Sequence, residues 1–302
     1  MPHFNVEATI TIVVGSGSEP LGTHNPMTKR DKEKLLLRAS EVGRRDIVLD
    51  LLRAGVCPNC RGAGRRETPL MLAAREGHAA IVKLLVTFGA DPEVVDVDGA
   101  NALMWGARAS GNRRVLQCLA SSGVSVNNRE DARGNTALME SALSGLLSNV
   151  ITLISLGADP NIANKLGETP LSAAAAWHYG KVVLQLLDSG ANPNKRLKNG
   201  GTPLMSAATA RSVKMVEGMI AHGANADYAN WEGNTALMLA IRCGNVRVVE
   251  ILAARTKKIN HSNHDGDTAL SWAKEAGLKR LEPILIRHGA RLLRRSKADP
   301  ER

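Results

Sequence analysis

A period of about 33 residues runs through most of the 302-residue chain and constrains its fold more than any other feature. The triplet Thr68-Pro69-Leu70 returns as Asn101-Ala102-Leu103, Thr136-Ala137-Leu138, Thr169-Pro170-Leu171, Thr202-Pro203-Leu204, Thr235-Ala236-Leu237 and Thr268-Ala269-Leu270. The steps between the central residues are 33, 35, 33, 33, 33 and 33. A divergent copy lies upstream, with Leu35, Gly43 and Gly55 standing 34 residues before Pro69, Gly77 and Gly89. A fixed period of this length denotes a solenoid, in which each unit buries its apolar face only against its neighbours. Eight units are expected.

Each unit reads as two short antiparallel helices followed by an extended finger, and local chemistry sets the boundaries. Thr169 can cap a first helix with its hydroxyl, and Pro170 then occupies the first helical position, where its missing N–H costs nothing. Gly77, Gly145, Gly244 and Gly277 are placed to end first helices. Second helices carry apolar pairs at helical spacing, such as Ile81, Val82, Leu84 and Leu85, and close at Gly89, Gly157, Gly190 or Gly223. Turn residues then recur as Gly-Ala-Asp-Pro at 89–92, Gly-Ala-Asp-Pro-Asn at 157–161 and Gly-Ala-Asn-Pro-Asn at 190–194.

These runs resemble the ankyrin repeat family, whose units carry Gly-x-Thr-Pro-Leu-x-x-Ala-Ala and a Gly-Ala-Asp-x-Asn turn at a 33-residue period. The resemblance covers roughly residues 33–290. It implies an all-α fold, an ankyrin-repeat solenoid of about eight helix-turn-helix units with β-hairpin-like fingers, and it divides the chain into a leader (1–26), the array (27–290) and a basic tail (291–302). Several positions depart from the pattern. Arg66 replaces a finger glycine, Thr256 a closing glycine, and His178 and Arg211 the glycine that ends a first helix. The third unit is read as gaining one residue in its first helix and one in its finger. Met71, Met104, Met139, Met205 and Met238 occupy the family's usual histidine position and read as soft packing filler rather than a ligand-binding stripe.

Composition agrees with a helical array. Hydrophobic residues make up 44% of the chain but only eight are aromatic, so Leu, Ile, Val, Ala and Met must build the core, which excludes a β-sandwich. No apolar run reaches the 18 or so residues a membrane helix needs, and no basic run precedes the short apolar segment 8–14, so neither a membrane span nor a secretory signal is expected. Four scattered cysteines suit a reducing compartment, the cytoplasm, or the nucleus if the host is eukaryotic. From Phe4 to Ile12 apolar and polar residues alternate, which fits either a loose leader or a strand that docks on the first unit or on another molecule's edge.

Nothing in the chain reads as catalytic machinery, and no cofactor or metal is expected. Cys57-Pro58-Asn59-Cys60 lacks the second ligand pair that tetrahedral zinc requires, and it falls where other units place Asp-Pro-Asn. No phosphate-binding glycine loop occurs. The net charge of +10 sits at the ends: +6 over residues 27–66 and +5 over 277–302, against +1 over 67–276. A nucleic-acid groove needs a basic stripe along its binding face, so nucleic acid is not expected as a partner. The alternative retained is a polyanion binder, for RNA or an anionic lipid surface, that uses the basic ends.

The resemblance implies a non-enzymatic protein–protein interaction module, adaptor, scaffold or inhibitor, whose partner is another protein held in the concave groove and on the finger tips. A monomer is expected. Setting the central residue of each triplet at zero, positions +1, +4, +5 and +8 share one helix face and should be buried, whereas +3, +6 and +7 point away. Trp105 and Trp272 stand at +3, Arg108 and Arg242 at +6 and Trp177 at +7, while Trp231 lies in a finger two residues before Gly233. With Lys165 and Lys198 at finger tips, these residues form the expected contact set, because tryptophan and arginine dominate interface hot spots.

Overall fold

The computed structural model describes residues 27–210 and 212–292. The leader 1–26, Arg211 and residues 293–302, with the expectations attached to them, lie outside the described residues. Sixteen helices occur among the described residues, two per unit, with no strand. The pairs are α1 (Lys29–Val42) and α2 (Arg45–Arg53), α3 (Pro69–Arg75) and α4 (Ala79–Thr87), α5 (Ala102–Ala107) and α6 (Arg113–Ser121), and α7 (Ala137–Leu143) and α8 (Leu147–Ser155). The second half repeats the plan with α9 (Pro170–Ala176) and α10 (Gly180–Asp188), α11 (Pro203–Thr209) and α12 (Val213–Ala221), α13 (Ala236–Arg242) and α14 (Val246–Arg255), and α15 (Ala269–Glu275) and α16 (Glu282–Arg287).

The triplet starts every first helix after α1 by one device. The Thr or Asn side chain before the helix accepts the backbone N–H three residues on, at 3.2–3.4 Å, as from Met71 to Thr68 and from Ser172 to Thr169. Helices of six or seven residues cannot stand alone, so tertiary packing must hold them. Leu70, Ala73 and Ala74 are buried as their positions require, as are Leu138 and Ala142 of the fourth unit. All five methionines of the row are buried, none more than 4% exposed, so they are packing filler.

Consecutive units are bolted together by asparagines of the turn motif. Asn59, Asn127, Asn161, Asn194 and Asn260 each donate their amide to the carbonyl of the glycine that closes the next unit's second helix, at 2.8–3.2 Å. The same side chains accept the N–H two residues beyond that glycine at 2.7–2.9 Å. In the seventh unit Thr256 replaces the glycine and is extended rather than left-handed (φ −76, ψ 137). An aspartate stands in for the asparagine there: Asp227 accepts the Thr256 hydroxyl and the N–H groups of Lys257 (2.9 Å) and Lys258 (3.1 Å).

The fingers are hairpin-like turns. Asn164 closes one by accepting the N–H groups of Leu166 and Glu168 on its Oδ1, both at 2.9 Å, and Asp96, Asn230 and Asn263 do the same in theirs. Neighbouring fingers share backbone bonds such as Lys165 N–H to Arg133 O (2.8 Å) and Trp231 N–H to Asn199 O (3.2 Å). Two departures take the left-handed backbone that glycine normally supplies: Arg66 at φ 58 and His178 at φ 62. The third unit corrects an expectation. Its first helix, α5, is not lengthened but ends after six residues, and the extra residue enters the turn to Gly111. There Asn112 donates its amide to the carbonyls of Ala74 and Gly106, both at 2.9 Å, and ties the turn to the unit before.

Candidate partner-binding surface

The concave groove divides into two chemically different halves. In the second to fourth units its residues satisfy one another. Trp105, only 5% exposed, donates its indole N–H to the Asp96 carboxylate at 2.9 Å, and the Arg75 guanidinium lies 5.4 Å from the ring centroid. Arg75 also pairs with Glu41 (2.9 Å) and Glu76 (2.7 Å). Trp105 is therefore not the exposed contact group that its position predicts: the preceding unit supplies both a cation for its face and, from its finger, an acceptor for its edge.

Arg108 is corrected in the same way. Its guanidinium bridges Glu140 (3.0 Å) and Glu130 (3.1 Å), both mostly buried, and it has little capacity left for a partner. Burial opposes its charge, but the hydrogen bond and attraction from Glu140, with Glu130 and Asp96 beyond, raise its pKa overall. Glu130 is shifted upward, first by burial and then by repulsion from Glu140, with Arg108 pulling the other way. Neither carboxylate stands among the contact residues expected from the sequence. A signal existed: position +6 of one unit meets +3 of the next, both for Arg75 with Trp105 and for Arg108 with Glu140.

The fifth to eighth units leave their large side chains open. Trp177, which follows α9, is 62% exposed, and Trp231 on its finger tip is 68% exposed. Arg242 ends α13 on the surface with no ion pair or ring contact among the described residues. Trp272 shares the unit position of Trp105 but is only half-buried; its indole N–H reaches Asp267 at 3.2 Å. Lys165 and Lys198 are exposed at finger tips, Lys165 donating to the Asp131 carbonyl and Lys198 reaching no acceptor among the described residues. Of the eight expected residues, the structure thus leaves Lys165, on the finger between the fourth and fifth units, and Trp177, Lys198, Trp231, Arg242 and Trp272 of the fifth to eighth units open, and it withdraws Trp105 and Arg108 into packing.

The cysteine pair is a turn. Cys60 is buried, with its sulfur 3.8 Å from the Glu33 carbonyl, and burial pushes its thiol up to about 12, while Cys57 is exposed. Asn59 between them is one of the inter-unit bolts. No cluster of three or more metal-ligating side chains occurs among the described residues. None of the described helices is long and apolar enough to cross a membrane.

Comparison with known proteins bears on this geometry. The profile described as ankyrin repeats matches in three overlapping copies, over residues 36–130, 107–196 and 171–263. The chain belongs to the ankyrin repeat family. Its array is 29% identical over 179 residues to palmitoyltransferase ZDHHC17 of Danio rerio, covering 48% of this chain and 29% of that protein. It is 33% identical over 149 residues to palmitoyltransferase AKR1 of Lachancea kluyveri, covering 48% of this chain and 19% of the relative. Identity to human ankyrin repeat domain-containing protein 63 is 39% over 99 residues, 32% of this chain and 25% of that one. The chain thus spans less than a third of the length of these three relatives. Ankyrin repeats are a protein-interaction architecture, and this array has the solenoid surface such modules present.

Proposed function

We propose that the chain is a non-enzymatic recognition module that holds a partner protein on the groove and finger tips of its fifth to eighth units. The exposure of Trp177 and Trp231 carries this reading, because large aromatic groups left in water at two neighbouring units of an aromatic-poor chain are the usual anchors of an interface. Displaced titrations mark catalytic sites, but here they have structural causes. The Thr28 hydroxyl lowers Asp31, Arg44 lowers Asp46, and the Thr256 turn holds Asp227 down against its burial. Two of the relatives are palmitoyltransferases by name, and the matched stretches are a minor part of each, which fits recognition by the array with any catalysis placed elsewhere. The sparse, scattered cysteines of the sequence are the reason for placing the chain in a reducing compartment, cytoplasmic or nuclear.

The test places a photo-crosslinking residue at Trp177, at Trp231, or at Ile151 on α8, 45% exposed and away from the groove, in the full chain expressed in cells. Adducts with one protein from the two tryptophan sites, absent from the α8 site, are expected. Equal capture from both faces overturns the proposal.

A further inference from the structure

The finger arginines are tied into the fingers, by a carboxylate at Arg65 and by carbonyls at Arg129 and Arg196. Arg65 pairs with Asp98 of the next finger. Arg129 spends its guanidinium on the carbonyls of Gly134 and Ala163, and Arg196 on those of Gly200 (3.2 Å) and Ala229 (2.8 Å), with its guanidinium 5.7 Å from the Tyr228 ring centroid. These arginines are rungs between fingers. Lys165 and Lys198 differ: they stand at equivalent places on consecutive fingers, and among the described residues one is bonded to a carbonyl, the other has no acceptor, and neither meets a carboxylate. The next finger places Trp231 at the same height, its indole lying over Gly200, where an added Cβ would come within 2.6 Å of the ring. Leu166, 54% exposed, flanks the first lysine. The nearby carboxylates are already engaged: Glu168 accepts the Asn164 amide and Glu232 the Asn234 amide, each at 2.8 Å.

We propose that the row Lys165, Lys198 and Trp231 recognises an extended acidic segment of the partner protein, two carboxylates followed by one large apolar side chain. This rests on the reading under Proposed function and adds the partner's chemistry to it. The match is one of charge and spacing. Packed helical layers lie about 8–10 Å apart, and a polyproline-II segment rises about 3.1 Å per residue with about three residues per turn, so every third residue of a segment bound in that conformation faces a finger. The expected pattern is Asp or Glu, two free positions, Asp or Glu, two free positions, then Leu, Met or an aromatic residue. Two cations flanked by apolar groups suit such a peptide better than a nucleic acid or a lipid surface, both of which call for a longer basic stripe.

The test selects random twelve-residue peptides on phage against the immobilised full chain and titrates the winners as labelled synthetic probes. Enrichment of the acidic–acidic–apolar pattern is expected. Binding should weaken about tenfold in the Lys165→Glu, Lys198→Glu double variant, and lysines in place of the peptide acids should restore it there. Peptides that lose binding in Trp177→Ala but ignore the lysine reversal overturn the acidic segment and leave the groove reading standing. Peptides insensitive to both overturn both, and a selection that enriches no pattern overturns the acidic segment. Tighter binding of a twenty-residue polyuridylate or of phosphatidylserine vesicles, lost on lysine reversal, assigns the lysines to a polyanion and also overturns it.

Discussion

Trp105 and Trp272 occupy the same place in their units, yet one is sealed and the other half open. Both indoles find a carboxylate, Asp96 and Asp267. What differs is the neighbours: α5 packs between α3 and α7, whereas α15 packs on α13 with no described unit beyond it, and the units before them differ as well. Arg75 lies over the Trp105 ring, whereas Arg242, at the same position one unit before Trp272, makes no ring contact. The first half of the groove uses its charges on itself, through Glu41–Arg75 and the Arg108, Glu130 and Glu140 triad. The second half keeps Arg242, Lys165 and Lys198 free of carboxylate partners. A repeat scaffold fixes where side chains stand, and whether one becomes packing or a contact group depends on what the adjacent unit offers it.

The sharpest way to break this contrast is to truncate one tryptophan from each half. Trp105→Ala removes a buried ring and takes the indole donor from Asp96 Oδ2, while Oδ1 keeps its two backbone N–H donors, so it should cost about 3–5 kcal/mol. Trp231→Ala and Trp177→Ala should each change stability by less than about 1 kcal/mol, as exposed positions do. Urea unfolding of the three variants measures this, and a Trp231 variant as unstable as the Trp105 one would erase the distinction.

Arginine gives the next largest effect. Arg108→Ala leaves Glu130 and Glu140 facing each other with no cation and should cost about 2–3 kcal/mol at neutral pH, while Arg242→Ala should stay within about 0.5 kcal/mol. The pH dependence has a definite sign. Glu130 has a raised pKa in the folded chain, so the folded state binds that proton more tightly than the unfolded state. Its contribution is fully present below the ordinary glutamate value of about 4.5 and is lost as pH rises through the raised value. The Arg108 variant, lacking the counter-charge, should recover part of its lost stability on mild acidification, read as a narrowing gap between the two unfolding midpoints. A gap that widens would mean that the triad is not what holds this half of the groove.

How far the sequence foretold this follows from what each inference required. The solenoid was legible because the capping triplets and closing glycines act within one unit, where spacing alone carries the chemistry. Trp177 and Trp231 were placed correctly as exposed because +7 and the finger tip have few neighbours. Trp105 and Arg108 are withdrawn into packing, against the expectation, because their partners lie on other elements, Asp96 on a finger and Glu140 on the next unit, and a helical wheel drawn for one helix cannot include them. Asn59, Asn161 and Asn194 stand in turn motifs that the sequence shows. Their second role, bonding to a glycine carbonyl about 30 positions on, depends on how the units stack.

The variant bolt gives a smaller effect confined to the second half. Burial opposes the charge of Asp227, but the Thr256 hydroxyl and the Lys257 and Lys258 N–H groups hold its pKa below the usual aspartate value. Its stabilisation is therefore present above about pH 3.8 and is lost as pH falls through the lowered value. Asp227→Ala should cost about 1–2 kcal/mol at pH 7 and less near pH 3. Asn127→Ala in the first half should show no matching convergence, since an amide does not titrate. Convergence of both would point to a general acid transition rather than to this carboxylate.

The smallest effect should be shared by the two halves. Arg66 and His178 adopt φ values of 58 and 62, which cost a non-glycine residue about 1–2 kcal/mol, whereas glycine takes them freely. Against that gain, glycine adds roughly 0.5–1 kcal/mol of conformational freedom to the unfolded chain. Arg66→Gly and His178→Gly should therefore each stabilise the array by no more than about 1 kcal/mol, and by similar amounts, because backbone strain is local and does not depend on the charge pattern of the groove. Thermal melts of the two variants against the parent chain decide it. If His178→Gly destabilises while Arg66→Gly stabilises, the histidine is holding something in the second half, beside Trp177, that its backbone strain does not reveal, and the comparison between the halves must then extend to their turns.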